Sequence, residues 1–394
     1  MKILIVHNHY GDFAVGGEAM VFRAEVELLE KNGVKVKTYE RSNSEIDDFN
    51  YYKKLKLFKN IHWSEKSKKE IGFIMDEFKP DILHVHNYKF VLTPSIFQAA
   101  KDRGIKTVLT LHNYRLMVPC GNFMDRKGRA CEKCVTKSPV NVILHRCSQG
   151  SILKSSLQYR LYTKTKDELN QLIDLVDNYI VLSKFAKNKL SQTGVPINKI
   201  RVKPNFIDNS AIERYEEIKK ERAVFIGRLS FEKGILQLIK MWTNIDYPLY
   251  IIGAGPLGVR AKSLASSNPN IIFMGEMDNL KVKKFLRESS FMVFPSTLYE
   301  GMPITILEAM SQGVPVLASN LGPRNELIEN GVNGIIYNIN NLQSFLDGAE
   351  SLITDRSYRK RLGGNSLREF NKKYTEEVNF KLIEKLYSRL LDEK

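Results

Sequence analysis

Apolar and polar positions alternate along this chain in two repeating blocks. Lys2–His7 sits in a short apolar run that reads as a buried strand, and the loop His9–Gly17 leads into a helical pattern from about Glu18 to Asn32. Val21, Leu28 and Leu29 are apolar among that helix's charges, and Gly33 ends it. Further strands are predicted at Val34–Tyr39, Asp81–His86, Lys106–Leu111 and Tyr179–Leu182, with Arg201-Val202 starting a sixth. The pattern then restarts: Ala223–Gly227, Tyr250–Gly253, Ile271–Met274, Phe291–Phe294 and Val314–Ala318 read as strands separated by helices. Repeated strand–helix units predict parallel sheets with helices on both faces. Pro204–Arg222 is polar and charge-rich and divides the blocks. The expectation is an α/β chain of two doubly wound, Rossmann-like domains, residues 1–204 and 205–374. A last helix, about Thr375–Leu391 within residues 375–394, carries the apolar stripe Phe380, Ile383, Tyr387 and Leu390 and is expected to return to the first domain.

The most informative stretch is Pro295–Glu326. Between its first strand and first helix lies a loop with Glu300, Gly301 and Pro303. Pro303 suits a first helical turn, where a missing N–H costs nothing. Ile304–Gln312 is the helix and Gly313 its C-terminal stop. Two carboxylates, Glu300 and Glu308, bracket the helix start with seven residues intervening. Backbone N–H groups at a helix start attract phosphate oxygens, and carboxylates accept hydrogen bonds from hydroxyls. A sugar nucleotide offers both partners. An isolated pair of glutamates at this spacing reads equally as surface carboxylates. The surrounding run is more specific: E-G-x-P before the helix, E-A-M inside it, G-x-P-V-x-A-S after it. It resembles the E-x7-E signature of family 4 glycosyltransferases, among them bacterial polysaccharide glycosyltransferases.

Three other motifs bear on that resemblance. Gly16-Gly17-Glu18 follows the first strand, where paired glycines let backbone approach a phosphate or simply make a tight turn. Arg228 and Lys233 follow the strand Ala223–Gly227 in G-R-L-x-x-x-K-G; two such cations can grip a diphosphate or be a solvated basic loop. His112 ends the fourth strand, where ligands gather in open parallel sheets. His84 and His86 end the third strand and read either as acceptor-side or as structural histidines. The resemblance implies a GT-B architecture with the active site in the cleft between domains. It implies that Gly16 and Gly17 face the donor diphosphate, that Arg228 and Lys233 clamp it, and that His112 meets the donor sugar. It also implies that Glu300, Gly301, Met302, Pro303, Ile304 and Glu308 bind the donor, Glu308 at the ribose, with Glu300 among the catalytic groups. No D-x-D occurs, so a metal-held diphosphate is not indicated and no cofactor is expected for catalysis.

Composition narrows the setting. Of a formal net charge of +16, residues 1–205 hold 35 Lys/Arg against 21 Asp/Glu, or +14, leaving +2 for the remainder. A basic first half suits a phosphate-bearing acceptor or an anionic membrane surface. No nucleic-acid-binding module is visible. Within Tyr51–Lys69, Tyr51, Leu55, Phe58 and His62 share a helical face among lysines, which fits either a membrane interface or packing on the protein's own sheet. No stretch is long enough to cross a bilayer and no leader is evident, so a cytoplasmic protein, peripheral at the inner face of the plasma membrane, is expected. Cys120, Cys131, Cys134 and Cys147 form C-x10-C-x2-C-x12-C, compatible with a structural zinc, free thiols or disulfides. The functional expectation is a retaining glycosyltransferase using a UDP- or GDP-sugar and a glycan or lipid-linked glycan acceptor. A sugar-nucleotide 2-epimerase and a catalytically silent glycan-binding scaffold are the rivals.

Overall fold

A computed structural model describes residues 1–10, 17–46, 62–207 and 220–392. The chain forms two compact units. The first comprises Met1–Gly121, Lys133–Asn205 and Asn379–Lys394; the second comprises Asn122–Glu132 and Phe206–Val378. Residues 122–132, expected inside the first domain, therefore belong to the second unit.

In the first unit six strands form one sheet: β1 (Lys2–His9), β2 (Lys35–Ser42), β3 (Ile82–Asn87), β4 (Lys106–Leu111), β5 (Asn178–Val181) and β6 (Ile200–Val202). Their order is β2-β1-β3-β4-β5-β6, and every pairing is parallel. Residues 3–9 of β1 and all of β3 are buried, which is why they read as continuous apolar or small-polar runs rather than alternating ones. The helix Gly17–Lys31 buries Val21, Phe22, Leu28 and Leu29 against this sheet, and Gly33 leaves it at φ 78°. Ser64 caps the helix Glu65–Phe78 by accepting from the Ser67 amide. His62 precedes that helix instead of lying on its face; Tyr51, Leu55 and Phe58 lie outside the described residues.

The helix Glu376–Asp392 completes the first unit's core. Ile383, Tyr387 and Leu390 pack with Ile3, Ile5, Phe22 and Ile180, and Phe380 is partly buried beside them. At its start, Asn379 Nδ2 donates to the Pro204 carbonyl at 2.7 Å.

The second unit repeats the plan with β7 (Lys220–Ile226), β8 (Leu249–Ile252), β9 (Ile271–Gly275), β10 (Ser289–Phe294), β11 (Val316–Ser319) and β12 (Ile335–Tyr337). The order is β12-β11-β10-β7-β8-β9, again all parallel. β12 is not among the strands predicted from sequence, because only three residues lie between Gly334 and Asn338. Its core centres on Trp242, Phe291 and Phe345. Among the described residues no helix is long and apolar enough to cross a membrane.

Truncating Ile383 to Ala removes fully buried atoms from the first unit's core. It should cost about 2–5 kcal/mol of that unit's unfolding free energy, read as a lower urea midpoint at unchanged slope.

Candidate active site

In each sheet the strand order reverses once, and loops at the carboxyl ends beside a reversal form the crevice where doubly wound folds bind ligands. In the second unit the reversal lies between β7 and β10. The loop after β7 carries Arg228 and ends in a short 3-10 turn, Phe231–Lys233. The loop after β10 runs from Pro295 to Pro303.

These two loops are fastened to each other. The Glu232 carbonyl accepts from the Thr297 amide at 2.9 Å and from Ser296 Oγ at 3.1 Å. Gly234, at φ 74°, passes so close that a Cβ there would stand 2.2 Å from the Pro295 oxygen. Only glycine fits, for both conformation and space. A residue that sequence reasoning did not single out holds the second loop from behind. Arg324 is fully buried, and its guanidinium donates to the carbonyls of Leu321 (2.6 Å), Ser296 (2.9 Å) and Leu298 (2.6 Å).

The result is a defined seat for Glu300, whose Oε1 accepts from Lys233 Nζ at 2.8 Å and from Ser296 Oγ at 2.9 Å. Burial works to raise the Glu300 pKa, but Lys233, Ser296 and Arg324 outweigh it and hold the carboxyl below its usual range. Arg228 is exposed and makes no side-chain ion pair with the described residues.

Glu308 lies within the helix Ile304–Ser311 and is 8 % exposed. Its carboxylate takes no hydrogen bond from the described residues, and burial pushes its pKa up against the pull of Lys283. With no donor from the described residues on it, the carboxylate has acceptor sites left for a hydroxyl-bearing ligand. Met302 and Pro303 are buried, while Gly301 and Ile304 are half-buried. Pro303 is the residue before the helix rather than within its first turn. Its backbone is extended there, which its ring permits. Gly313, at φ 61°, follows the helix end.

Residues 122–132 reach this same region of the second unit. Phe123 packs on Tyr299, with ring centroids 5.6 Å apart. Burial, with Glu132 hydrogen-bonded to it, pushes the Tyr299 hydroxyl up to about 12. Gly128 lies against the Phe231 ring, at a position where a Cβ would collide with it.

In the first unit the order reverses between β1 and β3. Gly17 is exposed at the first turn of its helix; Gly16 lies outside the described residues. Burial pushes the neighbouring Glu18 carboxyl up to about 7, opposed by Arg115 and Asn113. His112 follows β4 and lines a small cavity of about 30 Å³ with Tyr10, His86, Asn87, Lys89 and Arg115. His84 lines no such opening. It is fully buried, 2.7 Å from both Tyr387 Oη and Thr110 Oγ1, and its place is structural.

His86 links His112 to the interior. Its Nδ1 lies 3.1 Å from His112 Nε2, and its Nε2 lies 3.3 Å from Oε1 of Glu25. Glu25 pairs with Lys203 at 2.6 Å. Burial acts to raise the Glu25 pKa, but Lys203 and the two histidines overcome it and keep the carboxylate ionised. The Glu25 carboxylate beside His86 Nε2 favours a proton on that nitrogen, and in that tautomer His86 Nδ1 accepts from His112 Nε2. Burial, reinforced by His86, holds His112 well below the usual histidine range and keeps it neutral. Glu25 was not foreseen because, within a charged helix, it reads as a solvent-facing residue.

The four cysteines are unbridged and half-buried. Cys131 belongs to the second unit and Cys120, Cys134 and Cys147 to the first. Among the described residues, Glu25, His84 and His86 are the only three metal-ligating side chains with ligand atoms within 4.8 Å of one another. Within the first unit, Cys120, Cys134 and Cys147 are not among the grouped metal-ligating side chains of the described residues. The Glu25 cluster already holds the Lys203 ammonium, which opposes a second cation.

Residues 15–211 match the model described as Glycosyltransferase Family 4, and residues 209–368 match Glycosyl transferases group 1. The chain is 24% identical over 279 residues to the capsular polysaccharide biosynthesis glycosyltransferase CapM of Staphylococcus aureus, covering 66% of this chain and 73% of CapM. It is 25% identical over 316 residues to an Escherichia coli UDP-Gal:alpha-D-GlcNAc-diphosphoundecaprenol alpha-1,3-galactosyltransferase, covering 76% and 74%. Anabaena HepE, solved with UDP, superposes with a TM-score of 0.69 at 16% identity over 98% of this chain and 100% of HepE. At that identity the likeness establishes the fold, which is GT-B.

The tautomer of His112 is directly measurable. In protein labelled with ¹⁵N-histidine, Nε2 of His112 should carry the proton and Nδ1 should be bare. Glu25→Gln paired with Lys203→Met, which leaves no unpaired buried charge, should shift that balance. A native His112 protonated at Nδ1 would contradict the assignment.

Proposed function

The chain is a member of the family 4 glycosyltransferases, and on that premise we propose that it transfers a sugar, with retention, from a UDP-sugar to a hydroxyl of a lipid-linked glycan in cell-surface polysaccharide assembly. The observation that carries this reading is the arrangement at the carboxyl ends of β7 and β10. Lys233 is held on Glu300, Arg228 is uncommitted, and Glu308 is buried without a donor. Two cations suit a diphosphate, and a carboxylate that takes no hydrogen bond from the described residues suits the ribose hydroxyls. A UDP donor is favoured over GDP by the UDP bound to HepE and by the UDP-Gal used by the galactosyltransferase. The lipid-linked acceptor is favoured by the latter's name and by the +14 charge of residues 1–205.

In the proposed reaction the acceptor oxygen bonds to the anomeric carbon on the face from which the diphosphate departs. The bond from that carbon to the phosphate oxygen breaks, and the acceptor's proton passes to the departing phosphate. Lys233 and Arg228 would stabilise the negative charge growing on the diphosphate as that bond lengthens. Lys233 has three N–H donors, so it can keep Glu300 while meeting a phosphate oxygen. Glu300 thereby positions the cation before the donor arrives, and His112 is proposed to meet the donor sugar.

Calorimetry with UDP and GDP should show preferential UDP binding. Glu308→Gln should weaken UDP binding by about 1.5–3 kcal/mol, through loss of charge-assisted hydrogen bonds. Unchanged affinity would assign Glu308 elsewhere. Lys233→Ala should lower kcat by about 10²–10³ while the fold is kept. NMR of the product linkage, against the donor's anomeric configuration, decides retention; a free epimerised sugar without transfer would establish the epimerase instead.

A further inference from the structure

The segment 133–166 of the first unit carries seven Lys or Arg residues and no Asp or Glu. All seven are exposed, and none forms an ion pair with the described residues. The same segment displays large apolar side chains to solvent. On the helix Ile152–Leu175, Leu153 is 81 % exposed, Leu157 59 % and Leu161 40 %; Ile152 at its start is 52 % exposed. The three leucines recur every fourth residue, so they form one stripe along the helix's outer face. The opposite face buries Ser155, Tyr162, Thr165 and Leu169, with the Tyr162 hydroxyl donating to the Met117 carbonyl at 2.8 Å. The stripe is thus fixed outward by ordinary packing on the other side. The short helix Asn141–Leu144 packs beside it and adds Leu144, 71 % exposed.

We infer that this surface is where the protein meets a lipid bilayer containing anionic lipid, with the leucine stripe entering the headgroup region and the surrounding cations at the phosphates. An amphipathic helix with leucines on one face and Lys/Arg around them lies in the plane of an interface. Lys154, Arg160 and Lys164 flank the stripe on the same exposed face, and their long stems can carry their charges up to the phosphate level while the leucines sit deeper. The chief competing occupant is a second copy of the chain. A two-fold interface would set this surface against itself, opposing seven cations to seven with the exposed Asp167 of the same helix as the nearest acid in sequence on that face. A nucleic acid would satisfy the cations and leave the leucines exposed. Only a membrane with anionic headgroups satisfies both halves of the pattern. The inference deepens the lipid-linked acceptor reading by naming the surface that would bring the enzyme to such an acceptor, but it needs no acceptor for its test.

The test is co-sedimentation of the full chain with phosphatidylcholine vesicles, with and without phosphatidylglycerol. Binding should require phosphatidylglycerol and fall as sodium chloride is raised. The triple variant Leu153→Ser, Leu157→Ser, Leu161→Ser alters only exposed side chains, so it should keep its melting temperature and UDP affinity. Its vesicle partition coefficient should drop by about tenfold or more. Lys154→Gln, Arg160→Gln, Lys164→Gln should weaken binding and flatten its salt dependence. Wild-type protein that ignores anionic vesicles, or a triple-serine variant that sediments like wild type, overturns the inference. So does light scattering that finds a wild-type dimer and a triple-serine monomer, which would make the stripe a subunit interface. Vesicle binding lost in the serine variant, with no transfer by wild type to any lipid-linked acceptor, would leave the surface standing and sink the acceptor reading alone.

Discussion

Arg324 is the constraint on which the second unit's site depends. A guanidinium cannot lose its proton at physiological pH, so burying one is tolerable only if its donors are met. Here they are met by backbone carbonyls of the very loop that carries Glu300. The Ser296 carbonyl also accepts from Ser319 Oγ at 2.7 Å, which ties the same loop to the end of β11. The shape of that loop is therefore fixed by a desolvated charge, not by contacts among its own residues. Loops of this length usually owe their mobility to weak internal contacts. This one is held at both faces, by Arg324 on one side and the Glu232 carbonyl on the other, and Lys233 and Glu300 inherit a separation suited to joint action.

The first unit uses the same device with opposite sign. Glu25 is a desolvated carboxylate, and Lys203 reaches it from 178 residues along the chain. A buried pair of this kind adds little net stability compared with an apolar pair, but breaking it is costly. What it adds here is direction. The carboxylate lies 3.3 Å from a ring nitrogen of each of two imidazoles and, through His86, favours a proton on Nε2 of His112. Both units thus place an ionised group out of water beside the groups it orients.

The fold was legible because buried parallel strands are continuous apolar runs, and such runs need no partner to be recognised. Residues 106–111 were bounded correctly from the run alone, and the stripe Ile383, Tyr387, Leu390 told which face of the last helix is covered. Arg228, Lys233, Glu300 and Glu308 could be singled out from neighbours within a dozen residues, and the structure pairs Lys233 with Glu300. Arg324 and Glu25 could not, because charged side chains are presumed solvated until a distant segment supplies their partners. The cysteine spacing is less telling for a related reason: a C-x2-C pair states how two thiols lie along the chain and nothing about where the other two fold. Leu153, Leu157 and Leu161 show the converse problem. A leucine every fourth residue is the signature of a core-facing stripe, and only the structure reveals that this one faces outward.

The return of the last helix to the first unit has a consequence for how the protein is made. Synthesis proceeds from the N-terminus, and domains generally fold in the order in which they emerge. In this chain the unit that begins first cannot close first, since the cluster of Ile3, Ile5, Phe22 and Ile180 is incomplete until Ile383, Tyr387 and Leu390 have left the ribosome. Throughout translation of the intervening residues, that half-built sheet presents an open apolar face. The later-starting unit has nearly all of its strands and helices in one contiguous stretch and can finish earlier. Nascent chains of this protein should therefore lean on holding chaperones through their N-terminal half, and the last helix acts as the latch that ends that dependence.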